Sequence, residues 1–145
     1  MLIGEYVHSM DAKGRITIPS KFRNDLSNGF VLTKGLDKCL FLYPMEEWNK
    51  IESKLKELPI TNKNVRSFVR TFFSGATDTA IDKQGRVLIP QNLREHALIE
   101  IDKEAVIVGL SNRVEIWSQQ IWNDYNVDEG LSYEEMAEKM AELGI

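Results

Sequence analysis

The chain spells one phrase twice. "DAKGRITIPSKFR" begins at Asp11 and "DKQGRVLIPQNLR" at Asp82, 71 positions later in a sequence of 145 residues. At that offset Gly4 to Leu26 aligns with Gly75 to Ala97. Seven of the 23 pairs are identical: Gly4/Gly75, Asp11/Asp82, Gly14/Gly85, Arg15/Arg86, Ile18/Ile89, Pro19/Pro90 and Arg23/Arg94. Three residues inserted in the second copy move the offset to 74, and "GLDKCLFLYPMEEWN" from Gly35 then aligns with "GLSNRVEIWSQQIWN" from Gly109. The duplicated unit is only about 46 to 49 residues long. A unit that short, with four strands, does not hold a stable core alone, so two must interleave or stack around a shared one. A small, barrel-like body is the expectation.

Each copy carries the same punctuation. "YVHSM" and "TDTAI" are short strand-compatible runs that end at an Asp. Asp-x-x-Gly fits a type I turn: Asp11 and Asp82 bond back to the backbone, and Gly14 and Gly85 supply left-handed residues, as in a bulged hairpin. "RITI" and "RVLI" return as second strands, stopped by Pro19 and Pro90. Proline is at home in a helix's first turn, so "PSKFRNDL" and "PQNLREHAL" read as short helices. "FVLTKGL" and "EAVIVGL" then pair through Gly turns with "KCLFLYP" and "RVEIWS".

The repeats fall at 4–49 and 75–123, joined by a helical connector at 50–74 and followed by an acidic helix or tail at 124–145. "PMEEWNKIESKLKEL" places Trp48, Ile51, Leu55 and Leu58 on one helical face, with Pro59 ending it. "TNKNVRSFVRTFF" gathers Val65, Phe68, Val69 and Phe72 in the same way. Ser118 is a candidate N-cap for "SQQIWNDY", and Ser132 with Glu135 forms a capping-box pattern. Met136, Met140 and Leu143 give the last helix an apolar stripe, expected to pack on its own body or on a neighbouring subunit.

Charge is unevenly spread. The chain nets −4, yet residues 124–145 hold seven acidic residues against one lysine, leaving residues 1–123 with 17 basic and 15 acidic groups. Acidity belongs to the tail, so the body is free to present basic faces. No apolar run reaches membrane-spanning length and no secretory signal opens the chain, so a cytoplasmic protein without membrane contact is expected. Cys39 is the single cysteine, which rules out an intrachain disulfide; it lies in an apolar run and reads as a buried structural residue. His8 and His96 occupy different places in the repeat, so its symmetry does not bring them together. No phosphate-binding Gly-rich loop, metal-ligand cluster or activated nucleophile stands out. Neither an enzyme, a cofactor, a metal nor a small-molecule substrate is expected.

What recurs instead is cations beside a turn. Lys13, Arg15, Lys21 and Arg23 leave the stretch from His8 to Arg23 with a net of +3; Lys83, Arg86 and Arg94 leave Asp82 to Arg94 with +2. A hairpin can enter a major groove, arginines reading guanine edges and lysines holding phosphates. The motif has a second reading, in which Asp-x-x-Gly only builds the turn and Arg15 pairs with Asp11. Turn chemistry demands the Asp and the Gly but not the Arg, so its recurrence favours DNA contact.

The two motifs Asp11 to Arg15 and Asp82 to Arg86, inside "GEYVHSMDAKGRITIPSKFR" and "FFSGATDTAIDKQGRVLIPQNLREHA", resemble the MraZ family of bacterial transcriptional regulators, built from two AbrB-like (SpoVT-AbrB) swapped-hairpin repeats. The resemblance spans essentially the whole chain. It implies a mainly β protein with flanking helices, a double-split β-barrel, and chains joined into a ring-shaped homo-oligomer. It implies binding to double-stranded DNA at direct repeats in the promoter of the division and cell-wall gene cluster, usually repressing it, and association with the nucleoid. Arg15 and Arg86 are the implied contacts, with Lys13 and Lys83 beside them. An antitoxin-like module that binds protein and a ring scaffold without DNA are the alternatives.

Overall fold

The two Asp-x-x-Gly turns form as their residues dictate. Gly14 donates its amide to the Asp11 carbonyl at 3.0 Å and Asp11 donates to the Arg15 carbonyl at 2.9 Å; Gly85 and Asp82 repeat this at 3.0 and 2.8 Å. Both glycines stand at positive φ, 82° and 81°, where a Cβ is disfavoured. The computed structural model describes residues 1–128 and 130–144, with 126–128 described by backbone alone. Its elements are β1 (Leu2–Ser9), β2 (Arg15–Thr17), α1 (Ser20–Arg23), β3 (Phe30–Lys34), β4 (Leu40–Pro44), α2 (Met45–Lys56), α3 (Lys63–Ser74), β5 (Thr77–Thr79), β6 (Arg86–Leu88), α4 (Gln91–Ala97), β7 (Glu104–Ser111), β8 (Val114–Ser118), α5 (Gln119–Asp128) and α6 (Tyr133–Ala141).

The return strands leave their own hairpins. β1 meets β2 through one bridge, Met10 to Ile16, after which β2 pairs antiparallel with β6 of the other repeat. β1 pairs with β7 and β5 with β3, again across repeats. The large sheet has the order β1-β7-β8-β4-β3-β5. Exchanging each strand for its copy in the other repeat reverses that order and so maps the sheet onto itself. The small ribbon is centred on Ile16 opposite Val87 and the middle of the large sheet on Phe41 opposite Glu115, which fixes the pseudo-twofold axis through both. Two further bonds obey it: Ile18 donates to the Gly85 carbonyl at 2.8 Å and Ile89 to the Gly14 carbonyl at 2.9 Å. The repeats interleave. Among the described residues, however, no series of strand pairs closes on itself. The architecture is a six-stranded sheet capped by a two-stranded ribbon, not a closed barrel, because β2 and β6 are too short to bridge both hairpins and each other.

The middle of the sheet is covered on both sides. Along β4, Leu40 and Leu42 face the ribbon while Phe41 and Tyr43 face the helices, and all four are buried. This explains the unbroken apolar run, where a half-solvated strand would alternate. On the ribbon side, Ile16, Ile18, Val87 and Ile89 join Phe22 and Leu93 from α1 and α4, each such side chain contributing roughly 1.5–3 kcal/mol. On the other side Trp48 stacks on Phe72 at 5.5 Å, bringing α2 and α3 together, and Trp117 meets Trp122 of α5 at 5.6 Å.

Local signals mostly hold. The Ser118 hydroxyl accepts from Ile121 N and the Ser132 hydroxyl from Glu135 N, each at 3.1 Å. Pro19 and Pro90 stand one residue before α1 and α4, as cap residues and not in the first turn. Helix α2 ends at Lys56, short of Leu58, since a residue preceding proline avoids helical backbone. Within the chain the α6 stripe stays exposed at Met136, Met140 and Leu143. No helix among the described residues is long and apolar enough to cross a membrane.

Candidate nucleic-acid interface

Period-two alternation aims the ribbon's side chains. Ile16 and Val87 point into the core, which leaves Arg15, Thr17, Arg86 and Leu88 on the outer face. Arg15 lies opposite Leu88 and Thr17 opposite Arg86, so the two arginines of distant motifs share one small surface.

Each arginine is held by its own turn. Asp11 Oδ1 accepts from the Lys13 and Arg15 amides, both at 2.9 Å, and its Oδ2 accepts from Arg15 Nε at 2.7 Å. Asp82 Oδ1 accepts from the Gln84 and Arg86 amides at 2.9 Å, with Arg86 Nε at 3.0 Å from Oδ2. The Arg15–Asp11 pair is thus formed, and Arg86–Asp82 repeats it. Backbone bonding from Arg15, with its side-chain bond, holds the Asp11 carboxyl down to about 2; the matching Arg86 bonds lower Asp82. The motifs also touch: Arg86 Nη1 lies 3.8 Å from Asp11 Oδ2. Because the ion pair of Arg15 uses Nε, it orients the guanidinium and leaves the Nη edge to meet a bidentate acceptor such as guanine O6/N7. Both arginines are matched by carboxylates, while Lys13, Lys83 and Lys21 are exposed.

Arg23 and Arg94 sit elsewhere. A Cβ on Gly85 would collide with the guanidinium of Arg23, and one on Gly14 would lie 3.3 Å from Cζ of Arg94. Each short helix thus lays its arginine over the turn glycine of the opposite repeat. Arg23 Nε donates to the Ile18 carbonyl at 3.0 Å; among the described residues Arg94 Nε is buried without a partner. These two arginines pack against the turns. Sequence reading placed them with the surface cations, though one signal was present: both braces and both glycines belong to the identical pairs of the repeat.

The remaining candidates are structural. Cys39 Sγ donates to the Leu36 carbonyl at 3.1 Å, and burial, with Glu115 nearby, pushes its thiol up to about 12. It is no nucleophile at neutral pH. His96 Nε2 lies 3.2 Å from the Gly35 carbonyl, and the described residues contain no group of His, Cys, Asp or Glu placed to hold a metal.

Comparison with known proteins gives this geometry a context. A family model described as "MraZ protein, putative antitoxin-like" matches the chain twice, at residues 1–71 and 72–143. Proteins named "Transcriptional regulator MraZ" from Alkaliphilus oremlandii, Clostridium tetani and Acetivibrio thermocellus are 61%, 59% and 59% identical, each over 145 residues and the full length of both chains. The chain belongs to the MraZ family. Each MraZ match contains one Asp-x-x-x-Arg turn, and the division between them falls inside α3. The two MraZ units are therefore the halves that exchange strands in the fold.

Proposed function

We propose that the protein is a sequence-specific DNA-binding transcriptional regulator that acts as a repressor. Its targets are direct repeats in the promoter of the bacterial division and cell-wall gene cluster. It works in the cytoplasm at the nucleoid as a ring-shaped homo-oligomer. The observation carrying this reading is the placing of Arg15 and Arg86 on one outward face, each aimed by its own Asp turn. Repeats 4–49 and 75–123 then supply one reading turn each. Arg15 and Arg86 contact bases, Lys13, Lys83 and Lys21 contact phosphate, and Arg23 and Arg94 hold the turns in shape. Repetition of weak contacts around a ring raises effective concentration on directly repeated sites, which lets a net-acidic chain bind DNA. The relatives' name, "Transcriptional regulator MraZ", supports the same class.

A gel shift with the DNA upstream of the protein's own gene tests the reading. Arg15→Ala with Arg86→Ala should lower affinity by roughly tenfold or more per arginine while leaving the far-UV spectrum unchanged. Retained binding would reject the arginine assignment, and no binding by the unaltered protein would favour a scaffold in which these pairs serve only the turn.

A further inference from the structure

Two surfaces of this chain match each other and remain apart within it. The first is a groove of about 320 Å³ between α3 and the β3–β4 turn, walled by Lys34, Leu36, Phe68, Thr71 and Phe72. Its floor is an aromatic column: Trp48 stacks on Phe72 and Phe72 on Phe68, both at 5.5 Å and within 17° of parallel. The upper members are open, with Leu36 63% and Phe68 41% exposed. Lys34 lines the groove, and α3 carries Lys63, Arg66 and Arg70 and no acidic residue.

The second surface is α6. Met136 and Met140 are 39% and 42% exposed and Leu143 is 73% exposed, so its stripe is not taken up by its own body. The helix and its ends, residues 132–144, carry Glu134, Glu135, Glu138 and Glu142 against Lys139. Apolar stripe faces aromatic floor and acid faces base. Methionine suits such a site because its flexible thioether packs well against aromatic rings.

We propose that α6 of one copy docks in the α3 groove of a second copy, its methionines on Phe68 and its glutamates toward Lys34 and the basic helix α3. This rests on the oligomeric part of the reading above and supplies its contact. Groove and helix are different surfaces, so the contact is head-to-tail. Every copy keeps a groove and a helix to offer onward, as a ring requires.

Sedimentation of the full chain tests this with two variants: Phe68→Glu in the groove, and Met136→Glu with Met140→Glu on the helix. Each alone should weaken assembly by about tenfold or more, by placing a carboxylate in an apolar contact. Far-UV spectra confirm that each variant is folded. An equimolar mixture should recover a complex, because one variant keeps an intact helix and the other an intact groove. Variants that assemble as the unaltered protein does, or a mixture that recovers nothing, would overturn the proposed contact. An unaltered chain that stays monomeric would overturn the contact and the ring together, whatever the gel shift shows. DNA binding lost without change in assembly is read from that separate assay and leaves the contact standing.

Discussion

Asp11 makes two oxygens serve a turn and a side chain at once. One oxygen gathers two amides, the other steers Arg15 and lies within 3.8 Å of Arg86. Only the ionised form accepts all of these, so its carboxyl titrates at about 2. A carboxyl depressed below its unfolded value stabilises the fold fully above that value, near 4, and loses the contribution as pH falls toward 2. Asp11→Asn should therefore be less stable than the unaltered protein at neutral pH, and the gap should close between about pH 4 and pH 2. Urea unfolding across that range reads it. At the glycines, Gly14→Ala and Gly85→Ala each force a Cβ into left-handed backbone, a cost of roughly 1–2 kcal/mol. Gly85→Ala must also displace Arg23, whereas the Arg94 contact at Gly14 is only tight. The Gly85 variant should be the less stable of the two in the same measurement.

At the scale of elements, caps and buried polar groups carry the local energetics. The Asn62 side chain accepts from the amides of Asn64 and Val65 at the start of α3, so Asn62→Ala should cost about 1 kcal/mol in thermal or urea unfolding. Thr33 is fully buried and donates to the Phe72 carbonyl at 2.8 Å, tying β3 to the end of α3. Thr33→Val keeps the shape but orphans that carbonyl, and should lose about 1–3 kcal/mol. Elements of this kind were largely legible in the sequence. The turns followed from Asp11, Gly14, Asp82 and Gly85, and the hairpins β3–β4 and β7–β8 from apolar runs around Gly35 and Gly109. The destination of β2 was not. The pattern Ile16, Ile18 states which side faces the core, but any neighbouring strand satisfies it, and three residues hold too little pattern to choose a partner. Arg23 and Arg94 were missed as braces for a related reason. Covering a glycine leaves no hydrogen-bond signature in the sequence, and both arginines read as DNA-contact cations beside the turns.

For the whole molecule the exchange of strands governs. In residues 1–74, β1 lacks β7, β2 lacks β6, β3 lacks β5 and β4 lacks β8. That fragment should show no cooperative unfolding as a monomer. Because the order of the sheet is its own mirror under exchange of repeats, two copies of the fragment have the complementary edges to pair in trans. Size-exclusion chromatography should find it as a dimer or in aggregates, and a folded monomer would contradict the interleaved core.

The same exchange sets a timetable for biosynthesis. β1 is finished at Ser9, but its partner β7 ends at Ser111. At about 5–20 residues per second, on the order of five to twenty seconds separate their emergence from the ribosome. Through that interval the nascent chain carries bare strand edges and a half-filled apolar face. A cell making this protein has to shield an unfinished half from its neighbours on the same messenger, whose first halves offer the missing strands in kind.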